Sequence, residues 1–215
     1  MQSQSTRAEF LVVVTVAFGY ALYASILELF APSGVPPITD GGLRWLMLQE
    51  LLVLLLLGVF LKARGWKGEE LGLGFVRRDV IVAAGMVLAI YAAVYSLMKL
   101  AALISPRYFE STTGLIGGEI SLAVALAVSI VNPIFEEVFV CAYVIRALQQ
   151  TRSTAFAVNV SILIRAAYHL YQGPAGATTT IPVGLVFAWW FARTGRLWPV
   201  IIAHGVLDLL ALIEI

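Results

Sequence analysis

Seven apolar stretches, each close to the length of a membrane span and separated by short polar or Gly/Pro-rich connections, leave this chain of 215 residues few ways to fold. They cover about 9–30, 43–62, 79–104, 119–148, 153–172, 178–193 and 197–214. About 20 residues of helix cross a bilayer, and in lipid every backbone polar group must be bonded internally. Apolar residues make up 60% of the chain and charged residues 13%, against about 45–50% and about 25% in a soluble domain. The expectation is an all-α fold: a polytopic transmembrane helix bundle of about seven spans, forming a single integral membrane domain over 1–215. No separate soluble domain and no cleavable signal peptide are expected.

The fourth stretch, Glu119 to Leu148, is too long for a straight span, so it should tilt, protrude or break. Pro133 within it should kink the helix and free the Ser129 carbonyl one turn earlier. Loops are expected at Ala31 to Pro37, Gly65 to Gly74 and Gly173 to Gly176. Trp45, Trp66 and Trp198 fall at segment ends, where indole rings favour the headgroup level. With the N-terminus cytoplasmic, that side collects Arg7, Lys62, Arg64, Lys67, Arg77, Arg78, Arg146, Arg152, Arg193 and Arg196. The other side holds Arg44, Lys99 and Arg107, so ten basic residues stand against three and the orientation reads N-in, C-out. A net charge of +1 gives no basic face for nucleic acid. The single cysteine, Cys141, excludes an internal disulfide and a cysteine-rich zinc site.

Ionisable groups inside these stretches carry the chemistry. The fourth contains Glu136-Glu137, with Asn132 ahead of the pair and Cys141 behind it. A charge at mid-bilayer costs about 2.5–3.5 kcal/mol. Both glutamates with Arg165 and Asp208 therefore cost roughly 10 kcal/mol if all are charged and unpaired. Adjacent residues stand about 100° apart around a helix, so one glutamate can face a cavity while the other pairs with a neighbouring helix. The bland alternative is a pair near a helix end that reaches water.

The chain has two histidines, both within apolar segments. His169 lies four residues after Arg165, and His204 four before Asp208, so each pair shares a helix face. From the cytoplasmic ends, Glu137, His204 and Asp208 lie about 10–17 Å deep and His169 about 24 Å, so a common cavity is expected. Such a cavity supports hydrolysis: a carboxylate in an apolar pocket as general base, with histidines positioning water, protonating the leaving amine or stabilising the oxyanion. A second arrangement fits equally, with Glu136, His169, His204 and Asp208 holding a divalent metal, zinc by preference, and one carboxylate left as base.

These patterns resemble the CAAX protease and bacteriocin-processing family, also described as type II CAAX prenyl endopeptidase-like intramembrane proteases. Its pattern is EExxxR on one helix, FxxxH on a second and HxxxN or HxxxD on a third. Here the three are Glu136-Glu137 followed by Cys141, then Arg165 with His169, then His204 with Asp208. The stretches WKGEELGL (Trp66 to Leu73) and YHLYQG (Tyr168 to Gly173) also resemble bacterial members, and the likeness covers about 62–212. It implies that Glu136 activates water with His169 as partner, that Glu137 orients or balances charge, and that His204 and Asp208 form the oxyanion side. Two positions depart: Cys141 replaces the family arginine and Arg165 the family phenylalanine. Position 141 lies one turn beyond Glu137, where an arginine would be its counter-ion. Arg165 is expected to supply that charge from the neighbouring helix. An ionised aspartate cannot donate to an oxyanion, so Asp208 is protonated, orients His204 or ligates a metal.

The resulting expectation is an intramembrane endopeptidase of the bacterial inner membrane. It would act on a peptide or membrane-protein tail near the inner face, with the lipid bilayer as its surroundings. Two readings compete. One is a weakened, immunity-type membrane partner without enzymatic activity. The other is an ion-coupled transporter relaying through Glu28 and Glu50, although no inverted repeat supports it. Glu28 and Glu50 are otherwise expected near an interface or in structural pairs.

Overall fold

The computed structural model describes residues 6–30, 37–104 and 117–213. The expected loop residues 31–36 and the basic residue Arg107 lie outside them. Among the described residues seven helices follow one another: α1 Arg7–Phe30, α2 Asp40–Ala63, α3 Arg78–Ile104, α4 Leu122–Gln149, α5 Thr154–Tyr168, α6 Gly173–Thr194 and α7 Trp198–Ile213. The chain is an integral membrane protein. Four helices, α1 to α4, are long and apolar enough to cross a bilayer, while α5 and α7 are apolar but shorter.

Burial defines the layers. Only 17% of the apolar window of each of α1, α2 and α3 is buried within the protein, against 67% for α4. The fourth helix is thus the axis, and the first three give most of their Leu, Val and Ile surface to lipid. The axis packs against α2, α5 and α7, while α1 leans on α5 and α3 on α6 and α7. Between α1 and α2 there is little mutual contact.

The axis does not break at Pro133. It continues as α-helix to Glu136 and then widens into a π-helical segment, Glu137–Tyr143. Such segments misalign the backbone ladder and are frequent at functional sites. Buried Ser161 on α5 donates to the Val140 carbonyl at 2.6 Å, satisfying an acceptor inside this segment. The Ser129 carbonyl, expected to be freed by Pro133, faces Gly205 on α7, where a Cβ would stand 2.4 Å from its oxygen. Gly205→Ala should therefore push α7 off α4 at the residue beside His204, costing about 1–3 kcal/mol as overpacking. Denaturant unfolding of the purified variant measures this, and unchanged stability would show that the helices can separate without strain.

At one end of the bundle, buried Glu9 accepts from Arg64 (2.8 Å) and Trp66 (2.9 Å), and Asp79 pairs with Arg196. Trp66 is thus a buried structural donor and not a headgroup anchor, because its indole N–H has a carboxylate to satisfy. The 64–77 connection is sewn to the α6–α7 turn: Leu197 donates its N–H to the Gly72 carbonyl at 3.1 Å, and Trp198 its indole to Leu73 at 2.8 Å. Gly72 has φ +73, and a side chain there would collide with the Gly195 carbonyl. These contacts bring Arg64, Arg146 and Arg196 to the same end, as the charge count required.

The expected loop at Gly173 to Gly176 is instead the first turn of α6. Pro174 lies at the start of that helix, where a missing N–H costs nothing. The preceding helix ends earlier than its apolar run, at Tyr168. The His169 ring takes the Arg165 carbonyl through Nδ1 at 2.9 Å, the acceptor its own backbone N–H would use in an α-helix. That N–H turns to Ala166 at 3.2 Å, and the chain tightens into a short 3-10 turn, Leu170–Gln172. Ser25 of α1 closes this end, donating to the Tyr168 carbonyl at 3.0 Å.

Candidate active site

The two glutamates at the α to π junction diverge as the helix angle requires. Glu137 is fully buried and faces α5 and α7. Its oxygens accept both contacts of Arg165 Nη2, at 2.6 and 2.7 Å, and Oε1 also accepts from His204 Nδ1 at 2.6 Å. Glu136 lies on the wall of a cavity of about 550 Å³. Its Oε2 accepts from Tyr168 Oη at 2.5 Å and from Arg165 Nη1 at 3.2 Å. Neither glutamate reaches water at a helix end.

Arg165 is 2% exposed and joins both carboxylates from the neighbouring helix. Its guanidinium also stands 5.8 Å from the Phe187 ring centre, within cation–π range. Cys141 is buried in the same neighbourhood, beside Glu137 and Arg165. Arg165 thus supplies, from the neighbouring helix, the cation bonded to Glu137.

His204 is held from both sides. The Glu137 carboxylate can only accept, so Nδ1 carries the hydrogen of that bond and Nε2 turns to Asp208 Oδ1 at 3.4 Å. Asp208 also accepts from Asn132 Nδ2 at 3.1 Å, bringing the supporting asparagine of α4 into the site. Asp208 is thus in contact with both His204 and Asn132. His169 donates Nδ1–H to a carbonyl, leaving Nε2 as its remaining polar atom, and it lines the same cavity as Glu136, His204 and Asp208.

Sequence reasoning had passed over Tyr168 as a site residue. It stands three residues after Arg165, on the same helix face, and that spacing was the available signal. Phe18 of α1 stacks on its ring at 4.9 Å, fixing the hydroxyl toward Glu136. Glu50 is 4% exposed, lines the cavity from α2, and its Oε2 has no hydrogen-bond partner among the described residues.

Two carboxylates, a buried guanidinium, two histidines and a cavity converge on the segment from α4 to α7. Residues 118–210 match the family model of the type II CAAX prenyl endopeptidase Rce1-like proteins. This segment is similar to the Rce1-like family. The Rce1-like family is a family of CAAX proteases. No curated protein and no solved structure matches the chain. The Rce1-like segment carries Glu136, Glu137, Arg165, Tyr168, His169, His204 and Asp208, whereas Phe18, Ser25 and Glu50 come from α1 and α2 before it.

The donor set for a metal is narrower in the structure than in the sequence. Among the described residues Glu136, Glu137 and His204 have donor atoms within 4.8 Å of one another, while His169 and Asp208 are not in that group. The Arg165 guanidinium is bonded to both carboxylates, and His204 has committed Nδ1 to Glu137. A divalent ion at this position would have to displace a buried cation.

Proposed function

We propose that the protein is an intramembrane endopeptidase in which Glu136 activates water for attack on a peptide carbonyl of a peptide or membrane-protein substrate. The observation that carries this reading is the unequal state of the two glutamates. Glu137 is saturated by Arg165 and His204, whereas Glu136 keeps a face on the cavity and has one oxygen, Oε2, held by Tyr168 and Arg165. Its other oxygen is left to take a proton from water. A positioned carboxylate in this role contributes about 10²–10⁴-fold. The proton that Glu136 takes from water passes through His169 Nε2 to the leaving amine, and His204 with Asn132 faces the developing oxyanion. The membrane assigned to it is the bacterial inner membrane, with the N-terminus and the basic end of the bundle in the cytoplasm.

No step in this scheme uses a metal. Cleavage in oxygen-18 water containing EDTA tests it: the new carboxyl terminus should carry the heavy oxygen, at an unchanged rate. Loss of cleavage on chelation, restored by zinc, would overturn the scheme.

A further inference from the structure

The scheme above leaves one buried carboxylate unused. Glu50 sits on α2, outside the Rce1-like segment, and 4% of it is exposed. Glutamate is almost never this buried without a partner, yet its Oε2 accepts no hydrogen bond among the described residues. It shares the cavity with Glu136 and Asp208, and no lysine or arginine lines that cavity. The Arg165 guanidinium is already bonded to Glu136 and Glu137, and His204, which lines the cavity, is bonded to Glu137. Gln49, Asn132, Gln172 and the two histidines are the other polar groups on its wall, and the rest is apolar and aromatic, including Phe18, Tyr20 and Tyr171.

Carboxylates set among aromatic faces recognise an ammonium or guanidinium carried on an apolar stem: the anion takes charged hydrogen bonds and the rings take the cation's remaining faces. We propose that Glu50 is a specificity-determining residue, and that the cavity accepts a substrate segment bearing a cation next to the cut bond. That cation is a lysine or arginine side chain or a free amino terminus. The inference rests on the endopeptidase reading and names its substrate class.

The test is binding of short apolar peptides to the Glu136→Gln protein in nanodiscs, where nothing need be cut. Blocked peptides with a central lysine, arginine or norleucine are compared, together with the norleucine peptide carrying a free amino terminus, which separates the two sources of charge. The lysine or arginine peptide, or the free-terminus peptide, should bind roughly tenfold or more tighter than blocked norleucine, the usual scale of a charged hydrogen bond. Adding Glu50→Gln should abolish that preference. Equal affinity for charged and neutral peptides, or a preference that survives Glu50→Gln, would overturn the proposal. If Glu50→Gln does not fold, the comparison with α2 unaltered still decides it, and Glu50→Asp should keep a weakened preference. A charge preference in a protein whose wild type processes nothing would count against proteolysis alone and leave the cation subsite standing.

Discussion

Arg165→Ala is expected to lower stability by about 3–5 kcal/mol, the usual cost of removing one partner from a buried ion pair. Both members of the Arg165–Glu137 pair are almost wholly out of contact with solvent, so little screening offsets the loss. The variant would leave Glu137 with His204 and the Cys141 thiol as donors among the described residues, and Glu136 with Tyr168. Denaturant unfolding in detergent measures the change, and an effect below about 1 kcal/mol, the size of a surface pair, would show that the pair is not what holds α5 to α4. Arg165→Lys should recover little, because a lysine cannot bridge two carboxylates with a planar fork. A second arginine at the family position should do better. Cys141 is buried beside Glu137 and Arg165, so the double variant Arg165→Ala/Cys141→Arg should regain stability and activity. If it folds and shows no recovery, Arg165 is not the substitute for the family arginine.

Glu136→Gln and Glu137→Gln should separate chemistry from architecture. The amide of Glu136→Gln retains an oxygen to accept from Tyr168 and fills the same volume, so the fold should survive with a stability change within about 1 kcal/mol. The cleavage rate should fall by about 10²–10⁴-fold, because an amide cannot take a proton from water. Glu137→Gln should do the reverse in order of cause. It breaks the paired contacts of Arg165 Nη2 and leaves a buried cation under-compensated, so instability of about 3–5 kcal/mol comes first and activity is lost with it. Rates per folded molecule, measured alongside unfolding, distinguish the two. Equal loss of stability in both variants would contradict the division of roles between the glutamates.

Much of this was legible in the residues, for physical reasons that also explain the gaps. Lipid permits few backbone solutions, so apolar run length alone located all seven helices. Adjacent glutamates must diverge on a helix, so one cavity-facing and one paired carboxylate followed from the angle. The missing arginine at position 141 pointed to Arg165 because a buried anion needs a cation. What escaped notice depended on contacts between distant segments. The ends of α5 and α6 were misplaced because the His169 ring competes for a backbone acceptor, and Pro174 opens a helix as readily as it ends one. Trp66 was read as an interfacial anchor because nothing local reveals its bond to Glu9, 57 residues away. The place of Glu50 on the cavity is not legible in α2 alone, because that cavity is assembled from α1, α2, α4 and α7, and periodicity within α2 does not report on the others.

The central claim is that Glu136 faces the cavity as the base of a hydrolytic site. The most direct measurement compares membrane proteomes of cells producing wild type or Glu136→Gln at matched levels, with new protein termini mapped by mass spectrometry. The account predicts one or more membrane proteins or peptides that are cut with wild type and remain full-length with Glu136→Gln, the new termini lying within or beside a membrane span. If the two cell populations share every terminus, while deletion of the whole protein still produces its phenotype and Glu136→Gln corrects it, the site is not hydrolytic and the protein acts as a non-enzymatic membrane partner.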